Sequence, residues 1–112
     1  MIRIKRVYAE PAADDGLRLL VDRLWPRGLS KEKARLDDWL KELAPSDELR
    51  KWFGHNPARW EEFRERYRQE LAGRPEALAR LRALAARETV TLLFAAHDEA
   101  HNNAVVLKEL LD

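Results

Sequence analysis

The stretch Thr89-Val90-Thr91-Leu92-Leu93-Phe94-Ala95-Ala96 limits the possible folds more than any other part of the chain. It is β-branched at its start and continuously apolar after that, the pattern of a strand buried on both faces. Such a strand belongs in the middle of a sheet, and it should be the most buried one. Two shorter candidates lie near the start of the chain. Ile2 to Tyr8 sets Ile2, Ile4, Val7 and Tyr8 among basic residues, a strand whose alternation breaks near Arg6. Leu17 to Val21 is a short apolar run ending in Asp22-Arg23, as expected of a buried strand that delivers polar groups at its end. The breaker-rich segment Glu10 to Gly16, with Asp15-Gly16 as its turn signal, separates them.

The middle of the chain has helical periodicity. Ser30 reads as an N-cap, and Leu36, Trp39, Leu40 and Leu43 recur at i, i+3, i+4 and i+7, which predicts an amphipathic helix ended by Ala44-Pro45. Ser46 caps a second, short helix with Leu49, Trp52 and Phe53 facing inward, and Gly54 closes it. Asn56-Pro57 joins a capping side chain to a proline at the first helical position. The helix from Pro57 to about Ala72 buries Trp60, Phe63, Tyr67 and Leu71. Gly73 stops it, and Pro75 opens another with Leu78, Leu81, Leu84 and Ala85 on one side. Asp98 is expected to cap the last helix, which carries Val105, Val106, Leu107, Leu110 and Leu111.

A helical middle between apolar strands requires a parallel crossover. The expected fold is therefore α/β, with a small three-stranded, mostly parallel sheet covered by about five helices in a layered sandwich, as a single domain over residues 1–112. The short link between the first two strands leaves their relative direction open.

Composition removes whole classes of function. The longest apolar run, Val90 to Ala96, is far too short to span a bilayer, and the residues after Met1 never open into the apolar stretch of a secretory signal. A cytoplasmic chain with no membrane partner is expected. The absence of cysteine excludes disulfides, thiolate catalysis and cysteine-ligated zinc or iron–sulfur sites. With 21 Lys and Arg against 20 Asp and Glu, the net charge of +1 gives no global pull toward nucleic acid.

In an open α/β sheet, ligands collect outside the carboxyl ends of the strands. Two polar clusters stand there: Asp22-Arg23-Leu24-Trp25-Pro26-Arg27-Gly28 after the second strand, and His97-Asp98-Glu99-Ala100-His101-Asn102 after the third. If the strands share a direction, the clusters converge. Arg23 and Arg27 offer fork-shaped donors for phosphate or carboxylate, Trp25 can stack or pack, and the start of the last helix favours an anion. The plain alternative pairs Asp22 with an arginine and buries Trp25 in the core. His97 and His101 with Asp98 are only the start of a metal site, because spacing dictates no third ligand, and no metal or other cofactor is assigned. Asp22, Asp98, His97 and His101 are the candidates for proton transfer if catalysis occurs. Ser46 lacks a histidine or glycine elbow and reads as a cap, and no Gly-rich phosphate loop is present.

Arg6-Val7-Tyr8, Asp15-Gly16-Leu17-Arg18, Val21 to Gly28, Ala44-Pro45-Ser46, Leu49 to Phe53, Thr91 to Phe94 and His101 to Leu107 together resemble the YeaO-like proteins, small bacterial proteins of domain of unknown function 488. The likeness covers nearly the whole chain, and the Asp-Arg-Leu-Trp-Pro-Arg-Gly stretch is its most specific part. It implies no established activity. It does mark Arg6, Asp22, Arg23, Trp25, Pro26, Arg27 and Asn102 as matching the family pattern. In that pattern the place of His97 is often lysine and that of His101 can be glutamine, which favours a basic, hydrogen-bonding rim over a metal ligand.

The sequence thus points to a small anionic ligand (phosphate, nucleotide or carboxylate) held by Arg6, Arg23, Trp25, Arg27, His97, Asp98, His101 and Asn102. The rival is a module in which arginine-rich helices, including Arg64 and Arg68, meet nucleic acid or a protein without catalysis.

Overall fold

The computed structural model describes residues 1–112. Four strands, β1 (Ile2–Arg6), β2 (Leu17–Leu20), β3 (Asp38–Trp39) and β4 (Val90–Phe94), lie in the order β1-β4-β2-β3, and every neighbouring pair is parallel. β4 sits between β1 and β2 with all five of its residues buried. Its side chains alternate between the faces as the two-residue period of a strand requires. Val90, Leu92 and Phe94 join Leu19 and Val21 in the main core. Leu93 faces the other way and packs with Leu20 and Val7 in a second, smaller cluster.

The sheet has four strands, not three, because the predicted helix from Ser30 to Leu43 is divided. Ser30 does cap α1 (Lys31–Ala34), its side chain accepting the Lys33 amide, but Arg35 then turns left-handed at φ 49°. The chain runs straight into β3, where Leu19 pairs with Asp38 and Leu20 with Trp39. Backbone groups along that side of β2 would otherwise lack partners. Instead the Arg18 amide donates to Asp37 Oδ2 at 2.8 Å, and the Leu40 amide donates to the Leu20 carbonyl at 2.8 Å. Pairing across the sheet outweighs a helical stripe whose only well-buried member is Leu43, at 1% exposure.

The remaining helices are α2 (Asp47–Phe53), α3 (Trp60–Ala72), α4 (Pro75–Arg87) and α5 (Asn103–Leu111). Phe53, Phe63, Tyr67, Leu71, Leu81 and Leu107 carry their apolar faces into the main core. Each such side chain contributes about 1.5–3 kcal/mol on burial. The expected caps at Ser46 and Gly54 are present: the Ser46 side chain accepts the Leu49 amide, and Gly54 closes α2 at φ 53°. Asn56-Pro57 opens a short 3-10 turn, Pro57–Arg59, that leads into α3. The cap of α5 differs from expectation. Asn102, not Asp98, accepts the Val105 amide, because Asp98 is used one turn earlier to accept the amides of Ala100 and His101.

The opposite face of the sheet is covered differently. The link from Val7 to Gly16 carries the chain from the end of β1 to the start of β2, past the intervening β4, and is shorter than the dozen or so residues such a crossover usually takes. It lays a charged group on the sheet. Asp15, 4% exposed, takes Arg18 at 2.6 Å, Lys5 at 3.1 Å and the Ala12 amide at 3.0 Å. The remaining Arg18 donors reach the carbonyls of Ala34, the last residue of α1, and of Arg35, which caps it. Burial alone would raise the Asp15 pKa, yet the Ala12 amide, Lys5 and Arg18 together hold it below its ordinary 3.8. Gly16 permits this close approach. It sits at φ 65°, and a Cβ there would lie 2.1 Å from the Thr89 carbonyl oxygen.

Candidate functional site

β2 and β4 end side by side because they are hydrogen-bonded neighbours running in the same direction. The two polar clusters that follow them are thereby forced together. The Val21 amide still donates to the Leu93 carbonyl at 3.1 Å, and at the next residue a side chain replaces the backbone. Asp22 Oδ2 accepts the Ala95 amide at 2.9 Å, and Asp22 Oδ1 accepts Asn103 Nδ2 at 3.1 Å. That one carboxylate therefore joins the end of β2, the end of β4 and the start of α5. Burial is the largest influence on Asp22 and raises its pKa above 3.8, although Ala95, Asn103 and the charges of His55 and Arg50 pull it down.

Pro26 prevents β2 from continuing, and the loop it begins is anchored by ring nitrogens. Trp25 Nε1 donates to the Leu29 carbonyl at 2.6 Å, and Trp39 Nε1 donates to the Asp22 carbonyl at 2.7 Å. The two indoles meet edge to face with centroids 5.4 Å apart. Trp25 is thus partly a packing residue, and it also forms part of the cleft wall.

The cleft enclosed by these loops and α2 has a volume of about 630 Å³. Asp22, Arg23, Trp25, Arg27, His97 and Asp98 line it, together with Arg50 and His55. Arg23 Nε donates to the Pro45 carbonyl at 2.9 Å, and its two terminal nitrogens have no partner within the protein. Arg27 is exposed and its guanidinium makes no internal bond; only its carbonyl is used, by the Tyr8 hydroxyl at 2.8 Å. Arg50 reaches Asp47 at 3.2 Å, while its Nε is screened from solvent and unpaired. Five basic side chains and two carboxylates therefore line one hollow, and the donors left without a partner are the Arg23 terminal nitrogens and the Arg27 guanidinium.

Three of the expected ligand residues do not contribute in that way. Arg6 is outside the lining; its guanidinium is spent on the carbonyls of Ala96 at 3.0 Å and Ala95 at 3.3 Å, where it braces the end of β4. His101 also lies outside, with Nδ1 bound to Asp98 Oδ2 at 2.8 Å and its ring edge-on to Trp60 at 5.2 Å. That hydrogen bond, helped by the amides of Ala100 and His101, holds Asp98 below its ordinary 3.8. Asn102 lines the cleft but is 2% exposed, and its side chain caps α5 and donates to the Asp98 carbonyl at 3.0 Å. No group of three or more His, Asp or Glu side chains comes together in a way that could hold a metal ion.

Arg50 and His55 were missed by sequence reasoning. Both lie at α2, a helix assigned from its apolar face, and the polar face of a short helix gives no sign of which cavity it overlooks. The one available signal was the left-handed turn after Phe53, where Gly54 and then His55, at φ 53° and φ 56°, fold the chain back.

The family described as the inactive DUF488-N3 subclade matches residues 1–112. An uncharacterized protein of Mycobacterium tuberculosis is 46% identical over 111 residues, spanning 99% of this chain and 93% of its own length. The uncharacterized protein YeaO of Escherichia coli is 44% identical over 110 residues, spanning 98% and 96%. No solved structure matches. No helix is long and apolar enough to cross a membrane.

Proposed function

This chain belongs to the inactive DUF488-N3 subclade of the DUF488 proteins, and on that premise we propose that its cleft binds a small anion, a phosphate or carboxylate, without chemically transforming it. The observation that carries this reading is the imbalance of free groups. The terminal nitrogens of Arg23 and the guanidinium of Arg27 have no internal partner, whereas both oxygens of Asp22 and of Asp98 accept hydrogen bonds from the protein itself. A carboxylate so engaged has little capacity left to accept hydrogen bonds from a ligand, and a guanidinium so free is a ready donor. The family description as inactive supports binding over turnover. We take the cytoplasm as the compartment, in keeping with a chain that has no cysteine.

The nucleic-acid alternative loses its main support. Arg64 pairs with Glu61 and Glu109, Arg66 with Glu62, and Arg68 with Glu109, so the arginine-rich face of α3 is largely neutralised. Thermal unfolding with and without inorganic phosphate tests the proposal. Phosphate should raise the melting temperature of the wild type by a few degrees, and Arg23→Ala combined with Arg27→Ala should remove that rise. An equal rise in both proteins would refute it.

A further inference from the structure

A bound oxyanion would fill only a small part of the cleft. Its volume of about 630 Å³ falls in the range of about 300–1,000 Å³ typical of pockets that enclose whole organic molecules, and it far exceeds the needs of an oxyanion alone. The apolar surface is also unevenly placed. Of all the large apolar side chains, the exposed ones are Met1 at 72%, Leu24 at 56% and Tyr8 at 40%. Leu24 and Tyr8 both line this cleft. A single exposed apolar residue needs no explanation, but two beside the free donors of Arg23 and Arg27 do.

Tyr8 is also held still. Its hydroxyl donates to the Arg27 carbonyl at 2.8 Å, and the Arg6 guanidinium lies over its ring at 5.1 Å from the centroid. That guanidinium is itself pinned by the carbonyls of Ala95 and Ala96. A ring restrained at its tip and on its face, yet left 40% exposed, is a ready stacking surface that loses little freedom on binding. The same bonds explain why Arg6, although outside the lining, sits beside the site.

We propose that the anion held by Arg23 and Arg27 carries a planar heteroaromatic ring, as a nucleoside monophosphate does, and that this ring packs against Tyr8 and Leu24. The inference rests on the anion reading above and narrows it. Stacking on an aromatic side chain strengthens binding of a base by roughly tenfold or more.

Calorimetric titration of the full chain with inorganic phosphate, with adenosine 5′-monophosphate and with adenosine separates the two claims. The expected result is that the nucleotide binds at least about tenfold more tightly than phosphate. Tyr8→Leu should erase that margin while leaving phosphate affinity unchanged, Tyr8→Phe should keep most of it, and Arg27→Ala should weaken both phosphorylated probes. Unliganded melting temperatures of the variants, which alter exposed positions, control for folding. If phosphate and nucleotide bind equally, or if Tyr8→Leu preserves the margin, the ring is excluded and the anion site stands. If neither phosphorylated probe binds, both readings fall.

Discussion

Asp22 Oδ2 accepts the Ala95 amide at 2.9 Å, a bond between residues 73 positions apart that fastens the end of β2 to the end of β4. The cleft exists because of this junction. On either side of it the chain leaves the sheet, carrying Arg23 to Arg27 one way and His97 to Asn103 the other.

The junction has a definite pH signature. Because burial raises the folded pKa of Asp22 above 3.8, the stability it contributes is fully present below 3.8 and is lost as pH rises through the raised folded value. Asp22→Asn should abolish that loss, so that denaturant stability changes less than in the wild type as pH rises from 3.8 toward neutrality. Urea melts across this range check the prediction, and identical pH profiles would contradict it. Removing a negative charge from a basic hollow should also tighten phosphate binding several-fold.

Asp15 behaves in the opposite sense. Its pKa is held below 3.8, so its stabilisation is complete above 3.8 and disappears as pH falls through the lowered folded value. Asp15→Asn should therefore flatten the acid limb of the stability curve. At pH 7 it should cost about 3 kcal/mol, because Arg18, 5% exposed, loses its charge partner in the interior. Guanidinium melts at pH 7 and pH 3 measure both effects, and a loss below about 0.5 kcal/mol at pH 7 would show the pair to be incidental.

Gly16→Ala should be among the most damaging single changes. The Cβ would meet the Thr89 carbonyl oxygen at 2.1 Å, and the backbone at φ 65° already disfavours a side chain. Relief requires the start of β2 to move away from β4 and to break the Leu17 to Thr89 hydrogen bond of 3.0 Å. A loss of about 3 kcal/mol or more is expected, or failure to accumulate as folded protein, judged by far-ultraviolet circular dichroism and thermal melting. Gly28→Ala is the control: nothing lies within 4 Å of its added Cβ, so only the strain of φ 76° applies, about 1 kcal/mol.

The strands and most helices were legible because their signals are local. β4 announces itself by eight apolar or β-branched residues in succession, Thr89 to Ala96, and α3 by Trp60, Phe63, Tyr67 and Leu71 at helical spacing. β3 was not legible. Leu36, Trp39, Leu40 and Leu43 have helical spacing, but two backbone hydrogen bonds to β2 and the Trp39 indole bond to the Asp22 carbonyl decide the outcome, and all three depend on partners distant in sequence. The candidate site divides in the same way. Residues next to strand ends, such as Arg23, Arg27, His97 and Asp98, could be placed from strand direction alone. Arg50 and His55 enter through the packing of α2, and Arg6 and His101 are withdrawn by hydrogen bonds that a linear pattern does not reveal.

Nuclear magnetic resonance of the arginine side chains during a phosphate titration tests the central claim most directly. Saturable shifts of the Nε–Hε signals of Arg23 and Arg27 are expected, with Arg64, Arg66 and Arg68 unmoved. Shifts that spread over the arginines of α3 instead, or that leave Arg23 and Arg27 in place at saturating phosphate, would contradict the proposed anion site.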